Sequence, residues 1–413
     1  MNLKSSETVK ISAATRQSRL RKVTLFDSDS SFAVAADSVP PSIQLFKLEQ
    51  AKAPIATLRP AEEAAVMGMT GIGEENLLAY VTQAGILHIH DNREQKDVLK
   101  CEFGCQRGLP LCLSPGIEGK SLLIGTASAY VLLYDLRFNI VGWSLRYSKQ
   151  TPVLGLVSFR PDKRCCFYAN LQSSTLTDPY VLLATGGDSL EIPLLNLRTG
   201  RCGVLFTGNN PSPVVPYLLN EDGSLPTPIP RPPLFQQFMR EARLPSNEVY
   251  QRHLLERIGE VTRKNKELLQ AATAVSQRIR SVFESRTTVR TVLCPSFKSV
   301  SVPYMVTAGA EAVIRFWDFQ SPKNSHRVLP NLAPHSASYA MHQLSDVCLV
   351  EESEAEEPLP TPLSGPMRSD LGEFTPEWKV KHLDDILDLA LAYGSGGGVL
   401  ISAGRDGSIR LWN

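Results

Sequence analysis

Val399-Leu400-Ile401-Ser402-Ala403-Gly404-Arg405-Asp406-Gly407-Ser408-Ile409-Arg410-Leu411-Trp412-Asn413, the last stretch of the chain, decides the fold. It reads as an apolar strand, a tight turn and a second, alternating strand that ends in Trp. Asp406-Gly407 suits the turn because both residue types tolerate positive φ at little cost. Ile409 and Leu411 fall on one face, and Ser408, Arg410 and Trp412 on the other. A lone hairpin of this kind is marginal in water. It needs neighbours, and the chain supplies them by repetition.

Working back from the terminus, Tyr304-Met305-Val306-Thr307-Ala308-Gly309 precedes Ile314-Arg315-Phe316-Trp317-Asp318 in the same way. Ser121–Thr126 precedes Tyr130–Arg137 with Asp135 at the strand end, and Asn76–Thr82 precedes Gly85–Asp91. Ser31–Asp37 with Ser42–Leu48, and Tyr180–Asp188 with Leu190–Arg198, complete the set. Each unit has a further apolar strand upstream, such as Val23–Phe26, Val153–Ser158 or Ile386–Ala390. The first units recur at about 40–45 residues, the period of a four-stranded propeller blade. Short strands, even spacing and turn signals predict an all-β propeller of about six legible blades. The recurrent Trp-Asp or Tyr-Asp strand ending favours this over a pair of β-sandwiches.

The chain has 413 residues, 43% hydrophobic and 21% charged, with a formal net charge of +1. That balance gives no whole-chain argument for nucleic acid or an anionic membrane. No apolar run approaches the length of a spanning helix. The eight cysteines include no CxxC, so free thiols in a reducing cytosol are expected. Residues 1–22 are basic and nearly acid-free, weakly like a transit peptide.

Insertions interrupt the repeat. Propeller blades are expected over 23–208 and 285–413. Between them lie a Pro-rich arm at 209–245 and a long helix at 246–284. Residues 351–370, opening with Glu351, Glu352, Glu354, Glu356 and Glu357, read as an acidic disordered loop. Within the helix, Leu254, Ile258, Val261, Asn265, Leu268, Ala272, Val275, Ile279 and Val282 alternate steps of four and three, a heptad seam. Asn265 is the polar core residue type that fixes register. The seam serves either a coiled-coil partner or the chain's own blades.

Val306–Gly309 with Ile314–Asp318, Ile124–Thr126 with Tyr134–Phe138, Ser402–Trp412, and Thr15–Leu20 together resemble the C-terminal WD-repeat domain of the vacuolar protein sorting-associated protein 15 family, also called phosphoinositide 3-kinase regulatory subunit 4. The order of these blocks carries the resemblance. It implies a propeller that, in the family, follows a serine/threonine kinase-like domain and helical repeats. It further implies a regulatory scaffold of the class III phosphatidylinositol 3-kinase complex, acting in autophagy and in endosomal and vacuolar protein sorting. The implied partners are the catalytic subunit and the coiled-coil subunits of the autophagy and endosomal complexes. The implied location is cytoplasmic, peripheral on endosomal and autophagic membranes through the complex alone. On this reading residues 1–22 are a remnant of a truncated first blade and its linker, and Thr8–Ile11 is a candidate outer strand for the last blade. The heptad helix is not part of the family's core pattern. An unrelated WD-repeat adaptor in trafficking or ubiquitin ligation is the alternative.

Chemistry-bearing motifs are few. His382, Ser402, Asp406 and Trp412 match the family's structural tetrad. The same Ser, His and Asp invite a hydrolase reading, but no G-x-S-x-G elbow surrounds Ser402. Asp91, Asp135, Trp317 and Asp318 are the WD-type strand ends. No complete P-loop and no kinase HRD or DFG motif occurs, so no catalysis and no cofactor are expected. His88 and His90 share a strand face with Cys101 and Cys105 beyond, yet the spacing matches no standard zinc site. Aromatic and basic residues do not interleave as on a nucleic-acid surface.

Overall fold

The computed structural model describes residues 5–10, 19–26, 31–37, 40–48, 53–72, 76–103, 105–116, 120–171, 179–186, 190–208, 214–226, 289–297, 300–310, 312–328, 337–344, 346–354, 382, 384–394 and 397–412. Strand β1 (Ser5–Lys10) opens the chain. Blade 1 follows as β2 (Arg19–Phe26), β3 (Ser31–Asp37), β4 (Ser42–Lys47) and β5 (Ala56–Leu58). Blade 2 is β6 (Val66–Ile72), β7 (Leu77–Thr82), β8 (Ile86–Asp91) and β9 (Lys96–Glu102). Blade 3 is β10 (Pro110–Pro115), β11 (Ser121–Thr126), β12 (Tyr130–Asp135) and β13 (Ile140–Tyr147). Blade 4 is β14 (Val153–Phe159), β15 (Tyr180–Thr185), β16 (Glu191–Asn196) and β17 (Cys202–Thr207), and β18 (Leu218–Leu219) then turns back onto β13. Blade 5 is β19 (Thr291–Leu293), β22 (Tyr304–Ala308), β23 (Ile314–Asp318) and β24 (His326–Val328), with a small hairpin, β20 (Ser296–Phe297) and β21 (Val300–Ser301), in its first connection. A second hairpin, β25 (Ala337–Leu344) and β26 (Val347–Glu354), precedes β27 (Ile386–Gly394), β28 (Gly397–Gly404) and β29 (Ser408–Trp412).

The ring closes on six blades. The inner strands β2, β6, β10, β14, β19 and β27 touch in sequence, and β27 returns to β2. Five of them carry a register shift near the start, for example between Leu20 and Lys22 and between Ile386 and Asp388. Such bulges increase the local twist. β1 pairs antiparallel with β29, from Ser5 opposite Trp412 to Lys10 opposite Ser408, and makes the sixth blade four-stranded. Thr8 to Lys10 of the expected outer strand lie in β1 and pair with Arg410 to Ser408 of the last blade. Pairing removes the open edge that β29 would otherwise present.

The core is divided into wedges. Each apolar cluster joins two neighbouring blades, as Phe32, Phe46 and Val34 of blade 1 meet Ile401, Ile409 and Leu411 of blade 6. Middle strands such as β8, β15 and β16 are buried along their whole length because both faces of the blade are covered. The outer strand β9 is largely exposed. This explains why a middle strand such as β15 reads as a continuous apolar run and the outer β9 does not.

Two expected insertions are partly built into the propeller. Within the Pro-rich 209–245, Leu218–Leu219 pairs with Arg146 and Tyr147, and Arg107 donates to Glu221 at 2.6 Å. Within the acidic 351–370, Glu351 to Glu354 belong to β26, which pairs parallel with β17. Glu352 is only 3% exposed there, because Arg315 and Arg327 of blade 5 and the Tyr339 hydroxyl bind it. Residues 355–370 and the whole 246–284 stretch, with its seam from Leu254 to Val282, lie outside the described residues. Among the described residues helical structure is confined to short 3-10 turns such as Tyr168–Asn170.

Candidate functional site

The Ser, His and Asp of the last blade come together. His382 precedes β27, Ser402 lies on β28, Asp406 sits in the β28–β29 turn and Trp412 ends β29. His382 Nε2 is 2.7 Å from Ser402 Oγ, and Trp412 Nε1 donates to the same oxygen at 2.8 Å. His382 Nδ1 lies 3.1 Å from Asp406 Oδ2. Ser408 donates to Asp406 at 2.6 Å. Burial pushes the Asp406 carboxyl up, but the hydrogen bond and charge of His382, with the Ser408 donors, hold it well below the usual carboxylate range. A Cβ on Gly404 would meet His382 Nδ1 at 2.2 Å, so glycine makes the room this ring occupies. Gly407, at φ +75°, supplies the left-handed turn residue.

This geometry does not serve hydrolysis. Ser402 is fully buried beneath Trp412, and its oxygen is held between indole and imidazole. A nucleophile must reach a carbonyl carbon, and no substrate can approach Oγ here. The network instead ties β27's approach to β28 and β29. Blade 5 keeps half of it, with Trp317 Nε1 donating to Thr307 Oγ1 at 3.0 Å.

The strand-end carboxylates are turn caps. Asp91 accepts the Arg93 backbone N–H at 2.8 Å, Asp135 that of Arg137 at 2.9 Å, and Asp318 that of Gln320 at 2.8 Å. Arg93 and Arg137 also return their guanidinium groups to the same carboxylates. The Arg93 side chain and then its backbone hold Asp91 down to about 2. Asn196 does the same in blade 4, accepting from Arg198 N–H at 2.8 Å. Its side-chain oxygen substitutes for the carboxylate, so a search for Asp at strand ends passes over it.

His88 and His90 do share a face, but they face a carboxylate. Their Nδ1 atoms lie 2.8 and 2.9 Å from the two oxygens of Asp97 on β9. His88 Nε2 is 3.2 Å from Glu62, which also pairs with Lys100, and the His88 ring stacks on Tyr80 at 4.7 Å. Burial raises Asp97, and the two imidazoles outweigh it and lower it. Cys101 is not in this cluster, and the Cys105 side chain is outside the described ones. Among the described residues no group of three His, Cys, Asp or Glu could hold a metal ion, and the cysteines there are free.

Polar side chains line the channel from every blade, Lys22, Thr70, Ser114, Ser158, Thr291 and Asp388. Its cavity of about 250 Å³ is lined by all six inner strands. Asp388 of blade 6 accepts the Val23 N–H of blade 1 at 3.0 Å and the Thr291 hydroxyl of blade 5 at 2.9 Å. Lys22 lies 3.9 Å from it. Burial dominates and pushes the Asp388 carboxyl up. One carboxylate thus joins three blades at the point where the ring closes.

The chain is similar to the serine/threonine-protein kinase VPS15 of Arabidopsis thaliana, 24% identical over 345 residues. The match covers 81% of this chain and 20% of the relative, so the chain spans about a fifth of its length. No family model matches. No helix among the described residues is long and apolar enough to cross a membrane.

Proposed function

We propose that this chain is a non-catalytic scaffold and regulatory propeller of the class III phosphatidylinositol 3-kinase complex, acting in autophagy and in endosomal and vacuolar protein sorting. The observation that carries the reading is the match to VPS15 across 81% of the chain. The buried Ser402, the capped strand ends and the histidine pair bound to Asp97 support a non-catalytic role, since each polar constellation is consumed by structure. Partner binding falls to the exposed loops, to the pieces added outside the blades and to the heptad segment from Leu254 to Val282. The catalytic subunit and the coiled-coil subunits of the complex are the partners proposed. The location proposed is cytoplasmic, on endosomal and autophagic membranes.

Co-purification tests this. The tagged chain is expected to recover the catalytic subunit, and Leu268→Asp with Ile279→Asp to reduce recovery of the coiled-coil subunits. Recovery of neither class of subunit refutes the reading. Unchanged recovery in the double variant removes the heptad segment from it.

A further inference from the structure

Each blade is an antiparallel meander, so its first and third turns share one end of the propeller. Backbone bonds link these turns directly, from Leu136 N–H to Lys120 O in blade 3 and from Leu197 N–H to Pro179 O in blade 4. On this end of blades 3 and 4, Phe138 stands out. It lies in the turn between β12 and β13, is 64% exposed, and Ile140 beside it is 48% exposed. The Arg137 guanidinium lies 5.4 Å from the Phe138 ring centre. Lys120, Lys163, Arg198 and Arg201 are exposed in the turns of this same end of the two blades. The described acids there, Asp135 and Asp162, are already engaged by Arg137 and Arg164 of their own turns. A phenyl group thus protrudes, 64% exposed, from an end whose exposed turns carry cations.

We propose that this end of blades 3 and 4 docks directly on an anionic lipid surface, with Phe138 entering the headgroup–acyl boundary and the four exposed cations lying on the headgroups. This goes beyond the scaffold reading, which needs membrane contact only through partners. Shape favours lipid over an acidic protein. A side chain projecting from a tight turn needs a matching socket in a folded partner, whereas a headgroup layer deforms around it. Charge favours an anionic surface, since each Lys or Arg near such a membrane contributes about 1 kcal/mol, a factor of about five in partitioning.

The test is sedimentation of the full chain with phosphatidylcholine vesicles, with and without phosphatidylserine. Binding is expected only with phosphatidylserine and should fall as salt is raised. Arg198→Gln with Arg201→Gln should weaken it about 25-fold, two charges at about five-fold each. Phe138→Ser should weaken it about ten-fold through lost apolar burial. All three positions are exposed, so melting temperature should hold. If a variant does melt early, Lys120→Gln with Lys163→Gln gives a second reading of the charge dependence. No binding to either vesicle, equal binding to both, or variants that bind as well as the parent overturns the proposal. So does capture of polyglutamate by a chain that ignores phosphatidylserine, which assigns the surface to an acidic protein.

Discussion

Replacing Glu352 with Ala tests whether the β25–β26 hairpin is an integral wedge between blades 4 and 5. Glu352 is 3% exposed, and its carboxylate receives Arg315 Nε at 3.0 Å, Arg327 Nε at 2.8 Å and the Tyr339 hydroxyl at 2.9 Å. The Arg315 side chain is itself 3% exposed, so the substitution strands a desolvated guanidinium without this carboxylate. Breaking a buried pair from one side costs about 3–5 kcal/mol. Arg327, at 21% exposure, retains access to water and adds little. Denaturation followed by Trp fluorescence is a suitable assay, because Trp317 packs edge-on against Tyr339 at 5.2 Å. Glu352→Gln should fall between parent and Glu352→Ala, since it keeps the shape and one acceptor. The double change Glu352→Leu with Arg315→Met should recover most of the loss, because removing both charges removes the uncompensated one. A loss under about 1 kcal/mol for Glu352→Ala, or a double variant no better than the single, would refute the reasoning.

Three further outcomes follow from the same geometry. Ser402→Ala should destabilise by about 1–3 kcal/mol in thermal unfolding, because Trp412 Nε1 and His382 Nε2 lose their shared partner. Asp388→Ala should cost about 1–3 kcal/mol by orphaning the Val23 N–H and the Thr291 hydroxyl. Asp388→Asn should be milder, and relatively better as pH rises above the unfolded value of about 3.9, because a carboxyl with a raised folded pKa loses stability as pH rises through it. Asp97 and Asp406 have the opposite sign. Their folded pKa values are lowered, so their contribution is complete above the unfolded value of about 3.9 and declines as pH falls below it. Melting temperature should therefore drop on acidification, and less steeply in Asp406→Asn.

Much of the architecture is readable from local pattern. The β28–β29 hairpin, its Trp and the upstream apolar strand repeat with enough regularity to give the propeller. The tetrad is implied by the family resemblance, and it is legible because His382, Ser402, Asp406 and Trp412 lie within one blade. Long-range pairings are where local pattern runs out. β26 joins β17 in parallel, far away in sequence, and Glu352 near its end reads as solvated because the arginines that bind it belong to blade 5. Asp97 is similar: it lies on a largely exposed outer strand, so nothing local marks it as the carboxylate that holds His88 and His90. β18 is too short to announce itself among prolines.

The most direct test of the scaffold role is a lipid-kinase assay on material captured with the tagged chain. Conversion of phosphatidylinositol to phosphatidylinositol 3-phosphate on the resin is expected, and it should disappear when the catalytic subunit is depleted from the extract. Captured material without that activity, from an extract in which the kinase is active, would contradict the proposed place of this propeller in the complex.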